Sequence, residues 1–245
     1  RKEVDAAWVA LGEDPGCVAA LVVLCWNEQA HPREAYEAAQ RRLEDGHAEE
    51  WRPHCWDRIE GRWCLRAHML WAEELEDRGD VEGAVKVLRR MLELDEDDHM
   101  GARYMLLRLL LLLGYTEEAL QLMEMFDEDD SPEFAFGRGI ALILAGEEEE
   151  GFAAVGRAAA MYPKIAWLMA AAMDEDTSGY KAEQAPDSTV SRPEVIEYSL
   201  LWAPVWARVE NALKERHGRG RLGALVSIMA GRRVGRRRKR RKRNS

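Results

Sequence analysis

Four side chains in one stretch of this chain can bind zinc: His54, Cys55, Cys64 and His68, with Cys64 and His68 standing i,i+4 so that they share a helix face. Their spacing fits no common zinc-finger pattern, so buried thiols and a partly exposed histidine are expected, and no metal is assigned. A second set, Glu60, Arg62, Arg66, Arg103 and Tyr104, carries guanidinium groups able to hold an anion or a peptide carboxylate. Arginines at a turn between helices more often pair with neighbouring acids, here Asp95, Asp97 and Asp98, and that pairing is the expectation. No GxSxG, P-loop, HExxH or strand-borne GxGxxG occurs, so no catalytic residue, enzyme activity or cofactor is assigned. The acids come in blocks, Asp95 to Asp98, Asp127 to Asp130 and Glu147 to Glu150, without the glycine and terminal glutamate of a calcium loop. They are expected to line a solvated edge, with a basic ligand as the sharper alternative.

Charge is distributed very unevenly over the 245 residues. Residues 214–245 hold fourteen Lys/Arg and one acid, net +13, so the remainder carries −23 of the total −10. Ten of the twelve residues from 232 to 243 are basic: Arg232, Arg233, Arg236, Arg237, Arg238, Lys239, Arg240, Arg241, Lys242 and Arg243. With no aromatic side chain among them to stack on bases, this stretch is expected to bind phosphates without reading sequence. Nuclear targeting, an RNA anchor and attraction to an anionic membrane all need only this charge density. Closure of the basic segment onto the acidic body is a further expectation. Four cysteines without a CxxC suit a reducing compartment, nuclear or cytoplasmic. The apolar runs within 105–113 and 222–230 fall short of the ~18 residues that cross a bilayer.

Helices are the elements that must position these groups, because sustained alternation and hairpin-turn signals are nearly absent. Gly79, Gly114 and Gly146, spaced 35 and 32 residues apart, each end one helical pattern and precede another, close to the ~34-residue period of tetratricopeptide helix pairs. In the first unit, Trp71, Ala72 and Leu75 face Ala84, Leu88, Met91 and Leu92 across Gly79, with Asp80 as cap. In the second, Thr116 is the expected cap; in the third, Ser131 caps a helix that starts with Pro132. Asp14 to Leu43 reads as one more helical pair. The aromatic stretch from Gly46 to Gly61, with Trp51, Trp56 and Ile59, is expected to pack against the helices. Asp174 to Pro193 reads as a loop. Glu194 to Arg216 returns to helical spacing, and Pro204 is expected to kink or split it.

Three segments carry a family resemblance: Glu60 to Ala67 (EGRWCLRA), Asp97 to Leu106 (DDHMGARYML) and Phe134 to Gly146 (FAFGRGIALILAG). They resemble a tetratricopeptide family related to the suppressor-of-tumorigenicity-seven proteins, which includes uncharacterised bacterial and plant relatives. Of its N-D-N-x-G-x-R-Y-x-L pattern, Gly101, Arg103, Tyr104 and Leu106 match, while Asp97 and His99 stand at its asparagine positions. Its E-T-R-P-Y-M-R-A is matched by Glu60, Arg62, Arg66 and Ala67. Its N-P-x-V-P-A-Y-L is loosely matched by Tyr162, Pro163, Ile165, Ala166, Trp167 and Leu168. Its late E-x-A-x-x-Y resembles Glu194, Ile196 and Tyr198, with Trp202 following. The resemblance covers residues 4 to about 212 and implies a fold and a binding role, with no reaction attached.

The resulting expectation is an all-α protein: a right-handed α-solenoid of tetratricopeptide-like hairpins over 4–213, with a disordered basic tail at 214–245. The repeat units fall at about 16–45, 65–98, 100–130 and 132–163, and a capping helix at 194–213. Helical register places Met69, Glu73, Glu76, Tyr104, Arg108, Leu111, Phe136, Ile140 and Ile143 in the concave groove. Only Arg108 suits a clamp for an acidic C-terminus, and the apolar part of the groove calls for a filling, by a partner segment or by the chain's own Trp202 and Trp206. The expected function is a protein interaction scaffold, with protein partners in the groove and RNA or DNA phosphates on the tail. The alternative is a ribonucleoprotein assembly component in which the tail does the work.

Overall fold

A computed structural model describes residues 2–44, 48–173 and 192–231. Among them all regular structure is helical, apart from a single antiparallel bridge between His54 and Asp95. The chain divides into two units, Arg1–Leu109 and Leu110–Ser245.

The first unit contains α1 (Lys2–Glu13), α2 (Val18–Trp26), α3 (Pro32–Arg42), the short α4 (Ala48–Trp51), a 3-10 turn (Cys55–Asp57), α5 (Ile59–Asp77) and α6 (Val81–Leu94). It ends within α7 (Ala102–Leu113). Helix α1 packs on α2, both α2 and α3 pack on α5, and α5 pairs with α6. Ala35, Ala39, Ala67, Ala72 and Ala84 are fully buried, and such small side chains let helix axes approach. Trp51 and Cys55 are buried and Trp56 is half-buried, as expected for the aromatic stretch, whereas Ile59 is exposed.

The second unit continues with α8 (Thr116–Met125), α9 (Pro132–Ala145), α10 (Glu148–Met161), α11 (Pro163–Met173), α12 (Arg192–His217) and α13 (Arg219–Met229). Helix α9 packs on α8, α10 and α12, and α13 packs on α10, α11 and α12.

Helix breaks fall where the glycine spacing predicts them. Gly79, Gly114 and Gly146 have φ of 80°, 85° and 97°, the left-handed conformation that ends a helix and that a Cβ disfavours. At Gly114 a side chain would also collide with the Arg208 guanidinium. Asp80 caps α6 by accepting from the Gly83 N–H at 3.0 Å, and Ser131 caps α9 with Pro132 at the first helical position. Thr116, however, is the first residue of α8 and not its cap; Tyr115 holds that position without a side-chain capping bond, and Glu117 and Glu118 supply the negative charge the first turn favours.

Two further expectations are corrected. Pro204 does not split α12, which runs unbroken from Arg192 to His217. The carbonyl that Pro204 leaves without an N–H belongs to Leu200, and both residues lie on the exposed face, where water can satisfy it. The basic tail does not begin at 214, because helix continues through Met229. Leu222, Leu225, Val226 and Met229, spaced i, i+3, i+4 and i+7, are buried, while Gly223, one of the two apparent interruptions, falls on the exposed side. The loop expected at 174–193 lies, up to residue 191, outside the described residues, as do residues 232–245.

Candidate functional site

The zinc-capable side chains are not brought together, and no three His, Cys, Asp or Glu among the described residues are placed to hold a metal. Cys55 and Cys64 are buried, and burial pushes their thiols up to about 11 and about 12, which suppresses the thiolate that metal binding or nucleophilic attack requires. His54 is exposed and lies 3.9 Å from Asp97. His68, expected to be partly exposed, is fully buried, because α3 covers its face of α5 with Tyr36 and Gln40. Its Nδ1–H donates to the Cys64 carbonyl at 2.7 Å, and Gln40 Nε2 approaches Nε2 at 3.4 Å.

The arginine cluster resolves into an internal network around Trp56. His99 stacks on the indole at 5.2 Å with an interplanar angle of 2°, and the Arg62 and Arg66 guanidinium groups lie 5.2 and 5.3 Å from its centroid. Arg62 also donates to the Trp56 carbonyl at 2.7 Å, and Arg66 lies over Trp63. These two arginines were expected on Asp95, Asp97 or Asp98; aromatic faces take them instead, since a guanidinium is weakly hydrated and stacks readily. Glu60 pairs with Arg42 at 3.0 Å. Only Arg103 meets the expected acid, donating to Asp98 Oδ2 at 3.0 Å while packing over the Tyr104 ring.

Asp98 is the hinge of this network. It adopts φ 51°, it is buried, and its carboxylate accepts from the Ala102 and Arg103 N–H groups at 2.7 and 2.9 Å, capping α7. Burial pushes its carboxyl up, and the backbone bonds from Arg103 and Ala102 pull it back down. Asp98→Ala removes the cap, takes from Arg103 its carboxylate partner and puts a Cβ without a polar tip at positive φ. The expected loss is about 2 kcal/mol, read as a lower denaturant midpoint with an unchanged slope, whereas Asp98→Asn retains the capping oxygen and loses less.

Of the groove residues, Met69 and Tyr104 are half-buried, Glu73 is exposed, and Arg108 is buried in a two-pronged pair with Glu76 at 2.5 and 2.6 Å. In the second unit Leu111, Phe136, Ile140 and Ile143 are fully buried and offer nothing to a partner. The chain's own α12 fills its part of this space, with Trp206 edge-on to Phe136 at 5.9 Å and Tyr198 also at 5.9 Å. Trp202 stacks on Tyr198 at 5.3 Å.

Most residues of the acidic blocks are exposed, as a solvated edge requires, but Asp95, Asp98 and Glu148 are buried. Asp95 is buried and holds His99 at 3.1 Å. Asp129 accepts from the Ser131 N–H, and the Tyr162 hydroxyl donates to the Asp130 carbonyl. Glu148, only 7% exposed at the start of α10, gathers His217 at 2.8 Å, Arg221 at 3.6 Å and Arg216 at 3.7 Å, while Arg221 reaches Glu149 at 2.6 Å. Arg216 and Arg221 thus pair with an acidic block, whereas Lys214 pairs with Glu210 of its own helix, and the basic stretch from 232 lies outside the described residues. Two contacts went unforeseen: Arg216 donates to the Ile143 and Leu144 carbonyls at 2.8 Å, and Arg208 donates to the Leu112 carbonyl at 3.2 Å. Cations at helix C-termini satisfy orphan carbonyls and the negative end of the dipole. Their spacing of eight residues sets both on one side of α12, but nothing in it names the carbonyls they reach.

No family model, no curated protein and no solved structure matches the chain. No helix among the described residues is long and apolar enough to cross a membrane.

Proposed function

We propose that this chain is a protein interaction scaffold of tetratricopeptide-like hairpins in a right-handed solenoid, working by binding and not by catalysis. The observation that carries the reading is the recurrence of helix, left-handed glycine and helix at Gly79, Gly114 and Gly146. Since α12 occupies its own groove surface, partners engage the surface of the first unit that is not covered, with Glu73 exposed and Met69 and Tyr104 half-buried. The basic stretch 232–243 adds a weak, salt-sensitive contact to polyanions or directs the chain to the nucleus, raising effective concentration near its partners.

The ten basic residues in that stretch also favour a second reading, a ribonucleoprotein assembly component in which the tail is the working element. Affinity purification of the full chain and of a chain lacking 232–245, each with and without nuclease, separates the two. The scaffold reading expects the same protein partners in all four preparations. Capture that vanishes with the tail or with nuclease transfers the function to nucleic-acid assembly.

A further inference from the structure

Helix α12 is apolar on two opposite sides. Val195, Tyr198, Trp202, Val205, Trp206 and Val209 are buried, yet Ile196, Leu200 and Leu201 are 45%, 71% and 47% exposed, and Ala203, Pro204 and Ala207 are exposed beside them. A surface helix normally keeps its outer face polar; one that is apolar all round is covered on both sides. The outer stripe spans about 16 Å of helix, and its composition is graded. Its bulky residues, Ile196, Leu200 and Leu201, lie in the N-terminal half, and its small ones, Ala203, Pro204 and Ala207, in the C-terminal half. Charge is graded in the same sense, with Glu197 exposed at one end and Arg208 exposed at the other.

We propose that this face binds the same face of a second copy of the chain, the two α12 helices running antiparallel about a twofold axis near residues 202 and 203. In an isologous pair residue i meets j and j meets i, so a surface pairs with itself only when its features are complementary about the axis. Both gradients here satisfy that condition. Leu200 and Leu201 enter the hollow left by the partner's Ala203 and the partner's Pro204, and Glu197 meets the partner's Arg208. A parallel pair would set bulk on bulk and acid on acid. A seam this short is at the small end of specific interfaces, which fits a reversible dimer.

Sedimentation of the nuclease-treated full chain between about 1 and about 100 µM tests the pairing. The mass should rise with concentration from 27.9 kDa towards twice that value. Leu200→Glu, at a site too exposed to matter for folding, should raise the dissociation constant about 30-fold with the melting temperature unchanged. Glu197→Arg should weaken the dimer several-fold, and Glu197→Arg with Arg208→Glu should restore it. Because Arg208 also binds the Leu112 carbonyl, the swap counts only if it melts as the parent does; otherwise the two single variants decide. A chain that stays monomeric, or a dimer indifferent to Leu200→Glu, overturns the proposal. A dimer lost with Leu200→Glu but unmoved by Glu197→Arg overturns the antiparallel arrangement.

Discussion

Gly139→Leu should lower stability by about 4 kcal/mol, or roughly 10 °C in melting temperature. Helices α9 and α10 meet through two glycines. A Cβ on Gly139 would stand 2.6 Å from Val155 Cγ2, 2.9 Å from the Val155 nitrogen and 3.0 Å from the Gly151 carbonyl oxygen. A Cβ on Gly151 would reciprocally stand 2.9 Å from the Gly139 carbonyl oxygen and 2.9 Å from the Ile143 nitrogen. Backbone atoms cannot rotate aside as side-chain tips do, so any substituent must separate the helix axes. Alanine brings a helix-propensity gain of about 1 kcal/mol that partly offsets the clash, leaving Gly139→Ala a net loss of about 1 to 2 kcal/mol. Gly156, also inside α10, supplies the internal control. Its nearest neighbour would be Ile228 Cγ2 at 3.5 Å, an ordinary contact, so Gly156→Ala should stabilise by up to about 1 kcal/mol. The opposite signs expected for these two glycine-to-alanine changes are read by thermal melts followed by circular dichroism. A Gly139→Leu chain within about 1 kcal/mol of its parent would mean that α9 and α10 do not cross at these residues.

Local rules made part of this molecule readable before its coordinates. A left-handed turn is open to glycine and nearly closed to other residues, which is why Gly79, Gly114 and Gly146 announced the helix breaks. Asp80 and the Ser131-Pro132 pair likewise cap where chemistry allows few substitutes. Helix α1 was harder to read because its stripe is weak, Val4 and Ala7 being buried and Ala10 and Leu11 only partly covered. What failed elsewhere depended on neighbours distant in sequence. Arg62 and Arg66 are the exception: Trp56 lies before them and nearer along the chain than the expected Asp95, Asp97 and Asp98, and its aromatic face takes them. The run from Leu222 to Met229 seemed interrupted until α10 and α11 defined which of its sides was covered. Arg216 reaches carbonyls 72 and 73 residues upstream, a pairing that no local pattern encodes.

His68 belongs to that second class, and its burial should make stability fall steeply with acidification. Enclosure by Tyr36, Gln40 and the α5 backbone is the main reason that its imidazole is pushed down to about 4; the Cys64 carbonyl opposes this and the Arg90 charge adds to it. The hydrogen bonds agree with a neutral ring. Nδ1–H donates to Cys64, and Gln40, whose amide nitrogen also reaches the Tyr36 hydroxyl at 2.6 Å, presents an N–H towards the lone pair of Nε2. A proton added at Nε2 would face that N–H and would lie where water cannot solvate it. In the unfolded chain the same histidine titrates near 6.5. Above that pH neither state is protonated and the group has no effect on the balance. As pH falls from about 6.5 towards about 4, the unfolded chain takes up a proton that the folded chain refuses, and stability drops by up to about 1.4 kcal/mol per unit. The full loss approaches about 3 kcal/mol, and below the folded value it grows no further. Carboxylates titrate over the lower part of the same range, so the measurement is a difference. Urea midpoints of the parent and of His68→Leu, compared at pH 7.5 and at pH 4.5, should show the parent losing about 2 to 3 kcal/mol more than the variant. Parallel losses in the two chains would place His68 in contact with water and remove α3 as its cover.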